Sequence, residues 1–318
     1  MSGESITEPS DPSAGEPEAI FIVGVSRSGT TLMRRVLDSS SRIGIATENH
    51  YLGHLLEREG ARHYFHRAGD LHDDAAVRRL VDLIWSGDFQ RRSRLREISP
   101  YWRWLTRTMD RSEFEARVLA SDRTDRGLFI VLMRAYADAR GKAVMGEKTP
   151  AHLAFVDTLM EWFPRGRVVH MLRDPRAIYL SEVRRRLDRP ESVPYRQLVH
   201  VPPLFRGFIL GQVTWVWRGA ADRHRVLSAR YPDRYRLVRF EDLVREPRAT
   251  LEGLFTFLGV EMEERVLQQK VVSKGSQVGQ AGFDAGAADR WRKDISPRAD
   301  HWLRGRLGRG MRETGYSE

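Results

Sequence analysis

Apolar residues along the chain fall into two rhythms. Short unbroken runs occur at "IFIVGV" (20–25), "KAVMG" (142–146), "RVVHML" (167–172) and "YRLVRF" (235–240), with a shorter strand-like "RIGIA" at 42–46. Runs this short, rich in branched residues, are the pattern of strands buried on both faces of a parallel sheet. Between them the spacing turns helical. Val77, Leu80, Val81 and Ile84 recur at i, i+3, i+4 and i+7, and Leu251, Leu254, Phe255 and Leu258 share one face. Ser112-x-x-Glu115 reads as a capping box, residues 124–140 as a helix stopped by Gly141, and Pro150 as the first turn of a helix ending before Pro164.

Strands alternating with helices imply βαβ units, hence an α/β fold with a mostly parallel sheet and helices on both faces. The segment from about 50 to 141 shows helical patterns and no obvious strand, so it reads as a helical insertion walling one end of the sheet. Residues 1–19 hold five acids, three prolines and no base, the composition of a disordered tail, which leaves 20–318 as the folded domain. The glycine-containing "SKGSQVGQAGFDAGAAD" (273–289) reads as a mobile loop.

Composition narrows the class only in part. No apolar run reaches the length needed to cross a bilayer, and no basic-then-apolar leader opens the chain, so a cytoplasmic location is the expectation. The absence of cysteine excludes disulfides and thiolate metal sites. The net charge of +10 invites a nucleic-acid reading, but 48 of the 53 basic residues are arginine and they are spread along the sequence. A solvated basic surface that favours anionic ligands fits this better than a nucleic-acid face. Oligomeric state leaves no mark in the sequence.

The candidate chemistry begins where the first strand ends. In "GVSRSGTT", Gly24 and Gly29 have four residues between them, the spacing of a phosphate-gripping loop, but Thr30-Thr31 replaces the usual Lys-Ser/Thr and the cation is Arg27. Small residues let backbone N–H groups curl around a phosphate, and the next helix offers its positive end. Ser28, Gly29, Thr30 and Thr31 complete the candidate cradle. A second anion site is written in "LRDPRAIYLS": Arg173 ends a strand and Ser181 lies about two turns into the next helix, so both can converge on one dianion. Lys148 in "GEKTP" follows a strand and sits at its carboxyl end, where open α/β sheets bind ligands.

Together these stretches resemble the sulfotransferases that use 3′-phosphoadenosine 5′-phosphosulfate (PAPS), nearest to their tyrosylprotein and carbohydrate branch in a single-domain, bacterial-like form. The resemblance runs in pieces from about 20 to 295: "RSGTTLMR" is similar to the family's 5′-phosphosulfate loop, Arg173 and Ser181 to its 3′-phosphate motif, and "FEDLVREPRATLEGLFTFLG" to a third element with Phe240 where tyrosine is common. It implies a P-loop-NTPase-like three-layer fold, PAPS as co-substrate with no metal, a hydroxyl-bearing (or amine) acceptor, and in-line sulfuryl transfer. It also implies Arg290 in "DRWRK" as a second grip on the 3′-phosphate, Lys148 beside the leaving group, and Glu48 in "ATENHY" as the base. Arg27 would hold the phosphosulfate, giving one cationic cradle for each end of the donor. Glu48 would reach the loop on a second strand lying beside the first, with a pKa raised by partial burial. That branch has an arginine where this chain has His50, so His50 or His54 stands as an alternative base. Two other classes remain open at this point: a metal-dependent nucleotide kinase or NTPase, and a non-catalytic anion-binding module.

Overall fold

The computed structural model describes residues 19–53, 60–86, 100–190, 193–268 and 282–316. The tail expected at 1–19, apart from its last residue, lies outside them, as do His54 and most of the glycine-containing loop.

Five strands form one parallel sheet: β1 (Ala19–Gly24), β2 (Ile43–Ala46), β3 (Val144–Lys148), β4 (Arg167–Leu172) and β5 (Tyr235–Arg239), in the order β2-β3-β1-β4-β5. Alternation along the strands sorts their side chains into two cores, because successive residues of a strand face opposite sides. Phe21, Val23 and Val168 enter one core, whereas Ile20, Ile22, Val169 and Met171 enter the other. The second core is closed by α1 (Thr30–Asp38) and, further along the chain, by the helix Pro247–Leu258, whose Leu251, Leu254, Phe255 and Leu258 are buried as their spacing requires.

Between β2 and β3 the described residues form helices: α2 (Ala61–Phe65), α3 (Asp74–Trp85), α4 (Pro100–Thr108), α5 (Arg111–Leu119) and α6 (Asp125–Asp138). The remaining helices are α7 (Val156–Trp162), α8 (Pro175–Asp188), α9 (Val193–Leu198), α10 (Pro202–Arg230), α11 (Phe240–Arg245), α12 (the Pro247–Leu258 helix), α13 (Trp291–Asp294) and α14 (Pro297–Glu313). None among the described residues is long and apolar enough to cross a membrane.

The structure corrects three expectations. β2 does not lie beside β1; β3 is inserted between them. Every residue of β3 is buried, so it takes the inner position with a neighbour on each side, and the four-residue β2 is left at the edge. The capping box at Ser112 is displaced, since Asp110 is the N-cap of α5 and Ser112 lies within its first turn. The helix expected from Pro150 starts as a 3₁₀ segment, Pro150–Phe155, before α7.

At the β4–β5 side of the sheet, the Tyr235 hydroxyl sits between two imidazoles, 2.5 Å from His170 Nδ1 and 3.2 Å from His224 Nδ1. Burial, followed by the neighbouring His224, pushes the His170 pKa from 6.5 down to about 3. The unfolded chain takes up this proton near pH 6.5 and the folded chain refuses it until about pH 3, so stability present above pH 6.5 is lost as the pH falls through that window. Urea unfolding is expected to show roughly 2 kcal/mol less stability at about pH 5 than at about pH 7.5 from this group, and His170→Gln to flatten the dependence. An unchanged slope in the variant would remove His170 from the account.

Candidate active site

The carboxyl ends of β1, β3 and β4 bring the candidate residues to one edge of the sheet. The chain leaves β1 at Gly24, whose φ of 144° and position 2.2 Å (for an added Cβ) from the Met171 carbonyl oxygen exclude a side chain. Gly29, at φ 90°, ends the loop, where a Cβ would come within 2.5 Å of the Phe240 ring. Between them Arg27 adopts φ 72°, a left-handed conformation that disfavours any residue with a Cβ. α1 then begins with neither a capping side chain nor an acid in its first turn, so its leading N–H groups keep their partial positive charge. Ser28 faces the other way: it is fully buried, with its hydroxyl 2.6 Å from the Val25 carbonyl and 2.9 Å from that of Met171, so it fastens the loop to β4.

The two cradles of the sequence reading meet. Arg27 Nε donates to Ser181 Oγ at 2.9 Å, and Arg173 Nη1 approaches the Arg27 carbonyl at 3.4 Å. Arg173 is further held by the Ala287 carbonyl at 2.8 Å and by the Phe240 ring 4.1 Å below its guanidinium carbon. The phenyl ring that replaces tyrosine thus still serves as a platform for the cation. Trp217 of α10 fixes the backbone by donating its indole N–H to the Arg173 carbonyl at 2.9 Å. Arg173 Nε is buried and meets no hydrogen-bond acceptor among the described residues. Burying such a donor is costly unless a ligand engages it. Arg290 pairs with Asp284, and the backbone of the same segment reaches Arg173 at Ala287. Asp174 caps α8 and chelates the Arg176 guanidinium, as a turn residue should.

Lys148 closes the arrangement from β3. Its register partner on β1 is Ile22, and its ammonium is bonded to the Glu48 carboxylate and lies 3.4 Å from Thr31 Oγ1. The other Glu48 oxygen is 3.6 Å from His50 Nε2. Lys148 and His50 are buried, whereas the Glu48 side chain keeps 24% of its surface open to solvent. Burial alone would raise the Glu48 pKa, but the His50 hydrogen bond and the Lys148 charge outweigh it and hold the carboxyl down at about 2. The expected upward shift is therefore reversed, because a close hydrogen bond and an ammonium outweigh the desolvation of the carboxylate.

A pair passed over in the sequence supports this geometry. Glu147 points to the opposite face of β3 from Lys148 and is completely buried, where it accepts from Thr149 Oγ1 at 2.5 Å and meets His152 Nδ1 at 2.6 Å. His152 Nε2 in turn accepts the Leu52 N–H at 3.2 Å. This chain of contacts fastens the segment carrying Glu48 and His50 to the strand carrying Lys148. Strict alternation along "GEK" is the signal that the two charges part company.

The chain is similar to known proteins in sequence and in fold. A stretch of 138 residues is 26% identical to omega-hydroxy-beta-dihydromenaquinone-9 sulfotransferase Stf3 of Mycobacterium tuberculosis, covering 42% of this chain and 33% of that protein, with the same figures for the Mycobacterium bovis protein. The matched part thus spans about a third of the length of these curated relatives. Among solved structures, the sulfotransferase domain of the Synechococcus PCC 7002 olefin synthase superposes with a TM-score of 0.58 at 22% identity, covering 99% of this chain and 100% of that one. The sulfotransferase domain from the curacin biosynthetic pathway gives 0.55 at 18% identity over 95% and 99%. These two establish the P-loop-like α/β fold. The model of the Sulfotransferase family itself matches residues 17–264, from β1 through the loop, both arginines and α12. With more than three quarters of its length inside that match, the chain belongs to the sulfotransferase family.

Proposed function

We propose that the chain moves the sulfuryl group of PAPS to an acceptor hydroxyl by in-line displacement. The observation that carries this reading is the convergence of Arg27, Ser181 and Arg173 beside the uncapped start of α1, with a buried Arg173 N–H that lacks an acceptor among the described residues. The Arg173 guanidinium and the Ser181 hydroxyl suit a phosphate dianion, and a 3′-phosphate is what distinguishes PAPS from ATP. Arg27 with the Gly29, Thr30 and Thr31 amides would hold the phosphosulfate at the other end of the cradle. The acceptor oxygen attacks sulfur as the bond from sulfur to the 5′-phosphate oxygen breaks. Glu48 accepts the hydroxyl proton, Lys148 compensates the charge on the departing phosphate oxygen, and the products are a sulfate ester and adenosine 3′,5′-bisphosphate. An alcohol acceptor accords with the relative named for an omega-hydroxylated menaquinone. The proposed setting is the cytoplasm, and Arg290 is proposed as a second grip on the 3′-phosphate.

One observation favours a second assignment of the base. With Glu48 held at about 2 and His50 against it, the imidazole can take the proton while the carboxylate orients it. The greater exposure of Glu48 toward an incoming acceptor keeps it first.

Calorimetry with Arg173→Ala tests the donor assignment. The variant is expected to bind adenosine 3′,5′-bisphosphate about 10–100-fold more weakly, the worth of a hydrogen-bonded charge, with ATP affinity little changed. Equal losses for both nucleotides would dissociate Arg173 from the 3′-phosphate. Mass spectrometry of reactions with PAPS and a panel of alcohols, read for gain of one SO₃ unit, tests the transfer itself.

A further inference from the structure

Basic charge is concentrated in the fold, although it looks dispersed in the sequence. Helices α8, α10 and α14 pack on one another and hold 14 arginines against five acids and no lysine, a net +9 beside +10 for the whole chain. The same layer carries the exposed large apolar residues of the described chain, Val201 immediately before α10 included. On α10, Leu204 (61% exposed), Phe208 (44%) and Trp215 (60%) fall with Gly211 at i, i+4, i+7 and i+11, a single outward stripe about 16 Å long. The opposite side of this helix buries Phe205, Ile209, Val213 and Trp217. The outward stripe therefore exceeds what core packing needs.

Two contacts bind that stripe to the arginines. Trp302 of α14, itself 41% exposed, donates its indole N–H to Thr214 Oγ1 at 3.1 Å, one residue before Trp215 on α10. Arg306 lies 4.8 Å from the Trp302 ring centroid, and Arg218 donates to the Arg306 carbonyl at 2.8 Å. Arg206, Arg218 and Arg306 have no carboxylate within ion-pair distance among the described residues. Beyond them His301, Arg304, Arg306, Arg309 and Arg312 line an open recess of about 640 Å³.

We propose that this face is a docking surface for a membrane bearing anionic lipid headgroups. Tryptophan, phenylalanine and leucine on one side of a helix, flanked by uncompensated arginine, match the interfacial region of a bilayer, where apolar rings enter the acyl boundary and guanidinium groups meet phosphate. A second copy of the chain suits the face poorly, since a two-fold contact sets the same arginines against each other. A nucleic acid leaves the apolar stripe in water. The inference rests on the surface alone and is independent of the donor and the base.

Co-sedimentation of the full chain with vesicles tests it. The protein is expected to bind vesicles of phosphatidylglycerol and phosphatidylcholine, to bind pure phosphatidylcholine at least about tenfold more weakly, and to be released as salt approaches about 0.5 M. The double variant Phe208→Ser/Trp215→Ala and the charge reversal Arg218→Glu/Arg306→Glu should each lower partitioning about tenfold or more, with unchanged thermal unfolding. No affinity for the anionic vesicles would overturn the proposal, as would binding that both variants leave intact. Sedimentation showing a dimer that Phe208→Ser/Trp215→Ala dissociates would assign the face to self-association instead, and capture of an acidic protein without vesicle binding would equally overturn it.

Discussion

Lys148→Met is expected to lower turnover about 10²–10³-fold while leaving adenosine 3′,5′-bisphosphate affinity within a few-fold of the parent. The ammonium is the one buried lysine at the carboxyl edge of the sheet among the described residues, set between Glu48 and Thr31 at the mouth of the phosphate loop. In the proposed role a fixed cation there would act on charge that develops only as the sulfur–oxygen bond lengthens, so its loss should fall on kcat rather than on binding. Single-turnover measurements with saturating PAPS isolate that step. A loss confined to donor affinity would make Lys148 a binding group and the proposed leaving-group role would fail.

Glu48→Gln is the second large effect, with turnover expected to fall about 10²–10⁴-fold and donor binding retained. The pH dependence separates the two candidate bases. Because its cationic neighbours depress the Glu48 pKa to about 2, the carboxylate form, and the stability its ion pair contributes, persist down from neutrality and are lost only as the pH falls from about 4.5 toward 2. With Glu48 as base, kcat/KM should therefore show no acid limb from this group above that window. An acid limb between about pH 5 and 8 that disappears in His50→Asn would move the proton to the imidazole, histidine being the side chain that ordinarily titrates there. Since Glu48 and Lys148 touch, the double variant is expected to cost much less than the product of the single losses.

How much of this was legible in advance depends on the range of the interaction concerned. The β1–loop–α1 unit is local: an apolar run, two glycines needing positive φ and a helical repeat lie within twenty residues, so the turn could be read directly. Arg173 and Ser181 share one strand–helix unit and were legible for the same reason. Strand order was not, because the placement of β3 between β1 and β2 follows from burial on both its edges, which no local pattern records. The orientation of Ser28 was also hidden, since "SRSGT" reads alike whether the hydroxyl meets a ligand or the carbonyl of Met171, 143 residues away. The sign of the Glu48 shift depends on Lys148, 100 residues distant, and the concentration of arginine on three helices depends on how those helices pack.

The bond from Arg27 to Ser181 has a consequence for selectivity. In the resting chain the guanidinium already has a resident stand-in, a neutral hydroxyl filling the place an incoming oxygen would take. Ligand entry at that point is an exchange of partners, and only a visitor bringing full negative charge improves on the occupant it displaces. An uncharged group arriving there would swap one alcohol for another, so this doorway is expected to favour an anionic visitor before any chemistry begins.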